Sequence, residues 1–148
     1  MKKNMLLLLA FCLLLTGAAC GGRRFPDPPA DAVGFPMGTY VDEGDDDAMY
    51  GVVTFEGRTY MPYGTLKNRI TPEDADVCIG WLVQDETEDR DERLYTLRAD
   101  PEHNFLMQRY AGESVMDQPT FWRAADTKGK SVSVPDYIES LGYGFWGE

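Results

Sequence analysis

Residues 77–83, VCIGWLV, form an apolar run with no charged residue, set between Asp76 and the charged stretch 85–92, DETEDRDE. Seven residues suit a strand and are short for a helix. A strand that is apolar on both faces needs cover on both, which places it inside a sheet. The rest of the chain divides into pieces of similar length. Residues 39–41 read as a first strand, and 50–55 and 58–61 flank Glu56-Gly57, a hairpin turn. Pro62 is expected to stop that second strand or hold it at an edge. Residues 63–76 are polar and mixed, with Pro72 opening a short helical turn. Residues 85–92 are expected as a solvated turn, followed by strands at 93–97, 104–110, 120–124 and 131–134. Asp100-Pro101, Gln118-Pro119 and residues 127–130 supply turn signals between them. Pro135 is placed to begin a short helix through 141. About seven strands with no long amphipathic helix imply a mainly β fold. The expected form is a small antiparallel sandwich or barrel with a short C-terminal helix.

A different kind of segment precedes the strands. Lys2 and Lys3 lead into the apolar run 5–15, MLLLLAFCLLL, then Thr16, Gly17, Ala18, Ala19, Cys20 and two glycines. Lysines before a short apolar run have the order of a secretory signal peptide, with the lysines kept on the cytoplasmic side. As a helix the run reaches only about 16 Å at ~1.5 Å per residue. A hydrocarbon core is about 30 Å thick, so a permanent span is not expected. The sequence Gly17-Ala18-Ala19-Cys20 resembles the lipobox of bacterial lipoproteins, in which the cysteine sulfur receives a diacylglyceryl group and a signal peptidase cuts before it. The resemblance implies lipidation at Cys20 and attachment to the extracytoplasmic face of the cell membrane. Gly17 departs from the family's usual leucine, and Cys12 has no small residues before it. Ordinary cleavage after an Ala-x-Ala-like site is the alternative and would free the protein. Two acyl chains hold a protein stably where one does not.

The expected organisation is a signal peptide over 1–19, a tether over 20–36 with four prolines and leading glycines, and an acidic domain over 37–148. Such a tether is flexible at first and stiffer afterwards. Its charges cancel, Arg23 and Arg24 against Asp27 and Asp31. Loss of Lys2 and Lys3 takes the formal charge from -11 to -13. That balance argues against nucleic acid, whose phosphates demand a basic surface. It also argues against a second attachment through anionic headgroups. A basic protein or a cell-wall component fits as partner, and so does plain solubility. Residues 121–130, FWRAADTKGK, and 134–138, VPDYI, resemble small lipoproteins of Gram-positive bacteria, a group with no known activity that implies no site residues.

Residue patterns for catalysis or metal binding do not assemble. An EF-hand loop needs oxygen ligands at alternate positions and glycine at the sixth. Counting from Asp42 the third residue is Gly44, from Asp45 the fifth is Met49, and from Asp85 the sixth is Arg90. Weak calcium binding by scattered carboxylates stays open. His103 is the single histidine; no cysteine lies near it for zinc and no Gly-x-Ser-x-Gly elbow exists, so a surface-loop residue is expected. With Cys12 removed and Cys20 lipidated, Cys78 has no partner for a disulfide and is expected as a buried thiol. No catalytic residue, metal ligand or cofactor is assigned. Arg98, Arg109 and Arg123 fall on successive strands, and if these are neighbours one face would carry an arginine cluster for an anion. Pairing with the surplus acids is the ordinary alternative. The tail YGFW, 143–146, either covers a sheet edge or offers an anchor to a partner, and cover is expected. Three function classes follow: a lipid-anchored, non-catalytic binding domain; an immunity or inhibitor protein against a basic toxin or hydrolase; and an envelope hydrolase built on paired carboxylates.

Overall fold

The computed structural model describes residues 24–42, 48–112 and 118–147; the expected signal peptide and Cys20 lie outside them. Its strands are β1 (Val33–Pro36), β2 (Gly38–Val41), β3 (Met49–Phe55), β4 (Arg58–Leu66), β5 (Ala75–Gln84), β6 (Thr87–Leu97), β7 (Phe105–Tyr110), β8 (Thr120–Ala124) and β9 (Ile138–Ser140). They form one sheet in the order β1-β5-β6-β7-β8-β4-β3-β2, with β9 added beside β4. Every pairing is antiparallel except β1 on β5. The two ends of this path, β1 and β2, are one run of chain interrupted only at Met37, whose N–H donates to the Val83 carbonyl at 2.9 Å. The sheet therefore curls into a nearly closed barrel.

Alternation along the strands explains the apolar runs. Tyr60, Leu94, Leu106 and Trp122 belong to an inner cluster with Val53, Leu82 and Ala124. Their chain neighbours Met61, Tyr95, Met107 and Phe121 belong to a second cluster on the outer face. Consecutive residues thus point into two different cores, as a period of two requires. Phe35 on β1 meets Phe55 on β3 edge-on at 6.1 Å, sealing the inner core at the closure. The outer core needs a cover, and the chain ends provide it. Tyr137, Ile138, Phe145 and Trp146 pack onto it from the C-terminal side, and Phe25 from the N-terminal side.

Five expectations are corrected. The short C-terminal helix does not form: Ile138 N–H bonds Pro135 O at 3.0 Å to close a single turn. Residues 138–140 then pair with Gly64–Leu66 as β9, because an open strand edge satisfies their backbone better than an isolated helical turn. Pro62 does not end its strand; β4 runs on to Leu66, and the missing N–H coincides with a register shift between Pro62 and Gly64. The solvated turn at 85–92 shrinks to Asp85 and Glu86, both with positive φ, and the remainder is the exposed half of β6. Residues 131–134 join no strand. Finally, residues 24–36 of the expected tether lie on the barrel, with β1 paired to β5 at one end of the sheet.

The tail covers a face and not only an edge. Trp146 Nε1 donates to the Pro62 carbonyl at 2.8 Å, and its ring meets Tyr63 at 5.6 Å. Replacing Trp146 by Ala removes this cover, and truncations of buried aromatics cost about 3–5 kcal/mol. Urea unfolding of the variant should show a loss of that order with an unchanged slope; a loss within experimental error would mean the tail is not part of the core.

Candidate functional site

Arg93 on β6 and Arg109 on β7 are direct cross-strand partners. Both stand on the outer face, in line with Tyr95 and Met107 of the outer core. Like charges directly opposite each other destabilise a strand pair, so this juxtaposition needs relief. It comes from the N-terminal segment. Asp27 accepts from Arg93 Nη1 at 2.7 Å, and the Arg109 guanidinium lies over the Phe25 ring at 4.2 Å. Phe25 is itself wedged edge-on against Tyr95 at 5.9 Å.

These residues border a half-open cavity of about 450 Å³ lined by Arg24, Phe25, Asp27, Arg93, Tyr95 and Arg109 together with Pro72 and Ala111. A second hollow of about 570 Å³ adjoins it through Arg24 and Pro72 and carries Arg98. Burial opposes the charge on Arg93, but its hydrogen bond to Asp27 and the nearness of the Tyr95 hydroxyl outweigh that and raise its pKa. The Tyr95 hydroxyl is buried without a hydrogen-bond partner. Burial and the neighbouring Cys78 raise its pKa, against the pull of Arg93 and Arg109. Among the described residues, Arg24 and Arg109 form no salt bridge. Asp27 is 84% exposed, so its pairing with Arg93 contributes at most about 1 kcal/mol and yields readily to a stronger anion. Guanidinium groups bind phosphate and carboxylate through paired N–H donors. The arrangement suits the capture of an anion.

The expected trio of arginines is not brought together. Arg123 is buried: it donates to Thr127 Oγ1 at 2.9 Å and to the Lys130 carbonyl at 3.2 Å, and lies over the rings of Tyr63 and Trp146. Arg98 bonds the Glu73 and Ala75 carbonyls. Only Arg109 joins the cavity, with Arg24 and Arg93 in place of the other two. The β6–β7 register that pairs Arg93 with Arg109 carries no local sequence signal. Arg24 lies in the segment whose composition reads as a tether.

The other candidates resolve as structural groups. His103 sits in the left-handed region with φ 52°, its Nδ1 3.0 Å from Glu56 Oε2. Its carbonyl accepts from Tyr60 Oη at 2.6 Å and Arg58 Nη1 at 2.9 Å. Asp100 closes the same corner by accepting from the Phe105 N–H at 2.6 Å, and burial raises its pKa against that bond. Across β8, β7 and β6, Trp122 Nε1 donates to Gln108, and Gln108 to Glu92. No group of acids, His and Cys positioned for a metal occurs among the described residues. No described helix is long and apolar enough to cross a membrane. No protein-family model, curated protein or solved structure matches this chain.

Cys78 is fully buried within the outer core, and burial raises its thiol pKa. Alkylation followed at the Cys78 peptide should be slow at pH 8 in the folded protein and rapid in denaturant. Equal rates in both would contradict this placement.

Proposed function

We propose that this chain is a lipid-anchored, non-catalytic binding protein on the extracytoplasmic face of the cell envelope. In this reading Cys20 carries the acyl chains and the arginine-lined cavity takes an anionic group. The observation that carries the binding half is the convergence of Arg24, Arg93 and Arg109 on one cavity in a chain of net charge -11. Surplus acids would pair with arginines placed at random, yet two of these three are left without an acidic partner among the described residues. The anchor rests on the lipobox resemblance at residues 17–20.

One preparation of full-length protein, extracted from membranes beside a Cys20→Ser control, tests both halves. The expected mass begins at Cys20 with added acyl chains, and the control lacks them. In detergent, inorganic pyrophosphate should raise the unfolding temperature of the wild type and leave an R24Q/R109Q variant unmoved. A ligand at ~100 times its Kd adds about 2.7 kcal/mol of stability, a shift of several degrees. An unacylated mass removes the anchor; no shift, or the same shift in the variant, removes the cavity.

A second reading is favoured by the exposed end of the β5–β6 hairpin. Asp85, Glu86, Glu88, Asp89 and Asp91 are all exposed there, with Arg90 the single cation. Such a field steers a basic partner, as an immunity or inhibitor protein would require. Crosslinked membranes should then yield a basic protein whose capture weakens with salt and with Asp/Glu→Asn/Gln changes at these positions. Capture insensitive to both would exclude it.

A further inference from the structure

We infer that the arginine-lined cavity is a docking site for the phosphates of the same bilayer that holds Cys20, so that the barrel lies on the membrane with one fixed face down. The inference rests on the lipid anchor proposed above. It starts from how the N-terminal segment is held. Residues 24–36 do not act as a spacer: Phe25 packs on Tyr95, Asp27 pairs with Arg93, and Val33–Pro36 is a sheet strand. Four residue steps separate Cys20 from Arg24, where the described residues begin. At about 3.3–3.6 Å per residue these span at most ~14 Å.

A lipidated Cys20 sits at the level of the headgroups, a layer about 5–7 Å deep on each side of the bilayer. Arg24, and with it the cavity it lines, is thus confined to the headgroups or just above them. The groups it presents match that layer. Arg24, Arg93 and Arg109 line one hollow, and Arg98 lines the hollow adjoining it through Arg24. Phe25 lies among them, and the Tyr95 hydroxyl in the wall has no hydrogen-bond partner. Guanidinium binds phosphodiester oxygens through paired donors, and a basic patch beside an acyl anchor is a known second signal for stable attachment.

Charge elsewhere reinforces the orientation. Removing Lys2 and Lys3 takes the formal charge from -11 to -13, so other faces are repelled by anionic headgroups while this one is drawn in. The acidic end of the β5–β6 hairpin gains most by facing away. A soluble phosphate would use the same donors, and the experiment separates the two sources.

Full-length acylated protein is reconstituted into vesicles of phosphatidylglycerol and phosphatidylcholine. Backbone hydrogen exchange is compared with the detergent-solubilised protein, with and without inorganic phosphate. Exchange at residues 24–27 and 107–111 should slow on the vesicles by about fivefold for each arginine engaged, while β8 is unchanged. The protection should vanish in R24Q/R109Q and weaken in high salt. Equal exchange in vesicles and detergent, or full protection in the variant, overturns the docking. Loss of the vesicle protection when inorganic phosphate is added to the vesicles overturns it too and assigns the cavity to a soluble ligand. The mass of the same sample separates the two proposals. An unacylated chain defeats the anchor and the docking together, whereas an acylated chain without arginine-dependent protection defeats the docking alone.

Discussion

One run of chain, residues 33–41, gives its backbone bonds to both ends of the sheet, to β5 in parallel over Val33–Pro36 and to β3 in antiparallel over Gly38–Val41. Without it the sheet would be open, with β3 and β5 as edges offering unpaired donors and acceptors to other chains. The close approach of β1 and β5 depends on glycine. A Cβ at Gly80, where φ is +152°, would stand 2.0 Å from the Val33 carbonyl oxygen. Gly34 is similarly hemmed in by Val83. Closure at this seam encloses the inner core and also fixes the direction from which the preceding residues arrive. They cross the outer face of β6, which is what brings Arg24, Phe25 and Asp27 to Arg93 and Arg109.

A barrel wall that is apolar on both sides can hold only one of its cores inside. The other must be covered by chain that belongs to no barrel strand, and here that duty falls to the two ends. Arg123 shows how tightly the C-terminal cover is fitted. It is 4% exposed, yet its guanidinium is met by Thr127 and the Lys130 carbonyl and lies over two aromatic rings. A buried cation is tolerated when its donors are satisfied. The 3₁₀ turn Ala125–Thr127 places those acceptors, so the loop after β8 is shaped as much by this arginine as by its own sequence.

Much of the barrel was legible in the chain. The mainly β class, the Glu56-Gly57 hairpin and the cores of most strands follow from short apolar runs and turn residues, which act locally. Local signals mislead where distant contacts decide. Residues 87–91 are a strand with every side chain exposed, so no alternation marks them; their pairing with β5 supplies the order. β9 looks like a helix start until the free edge of β4 at Gly64–Leu66 is known. The arginine site was half visible. Arg109 could be marked as a strand cation, but its partners come from a hairpin register and from a proline-rich segment that composition alone assigns to a linker. Phe25 and Phe35 are the cues in that segment, large apolar rings with no reason to stay in water.

Charge distribution ties these pieces together. In a chain with 25 acids and 14 lysines and arginines, cations are the scarce component, and the cheapest fold would spread them among carboxylates. This one instead sets Arg93 against Arg109 across a strand pair and brings Arg24 alongside. The partial relief comes from a nearly exposed Asp27 and from the face of Phe25, a weak acceptor of charge worth about 0.5–1 kcal/mol at exposed sites. Those contacts hold the arginines in place without neutralising them, which leaves a local positive potential inside a negative overall field. Neighbouring acids then serve a second purpose. On the reading proposed above, they would repel anions from the other described faces, so the surplus negative charge would direct an anion toward this cavity.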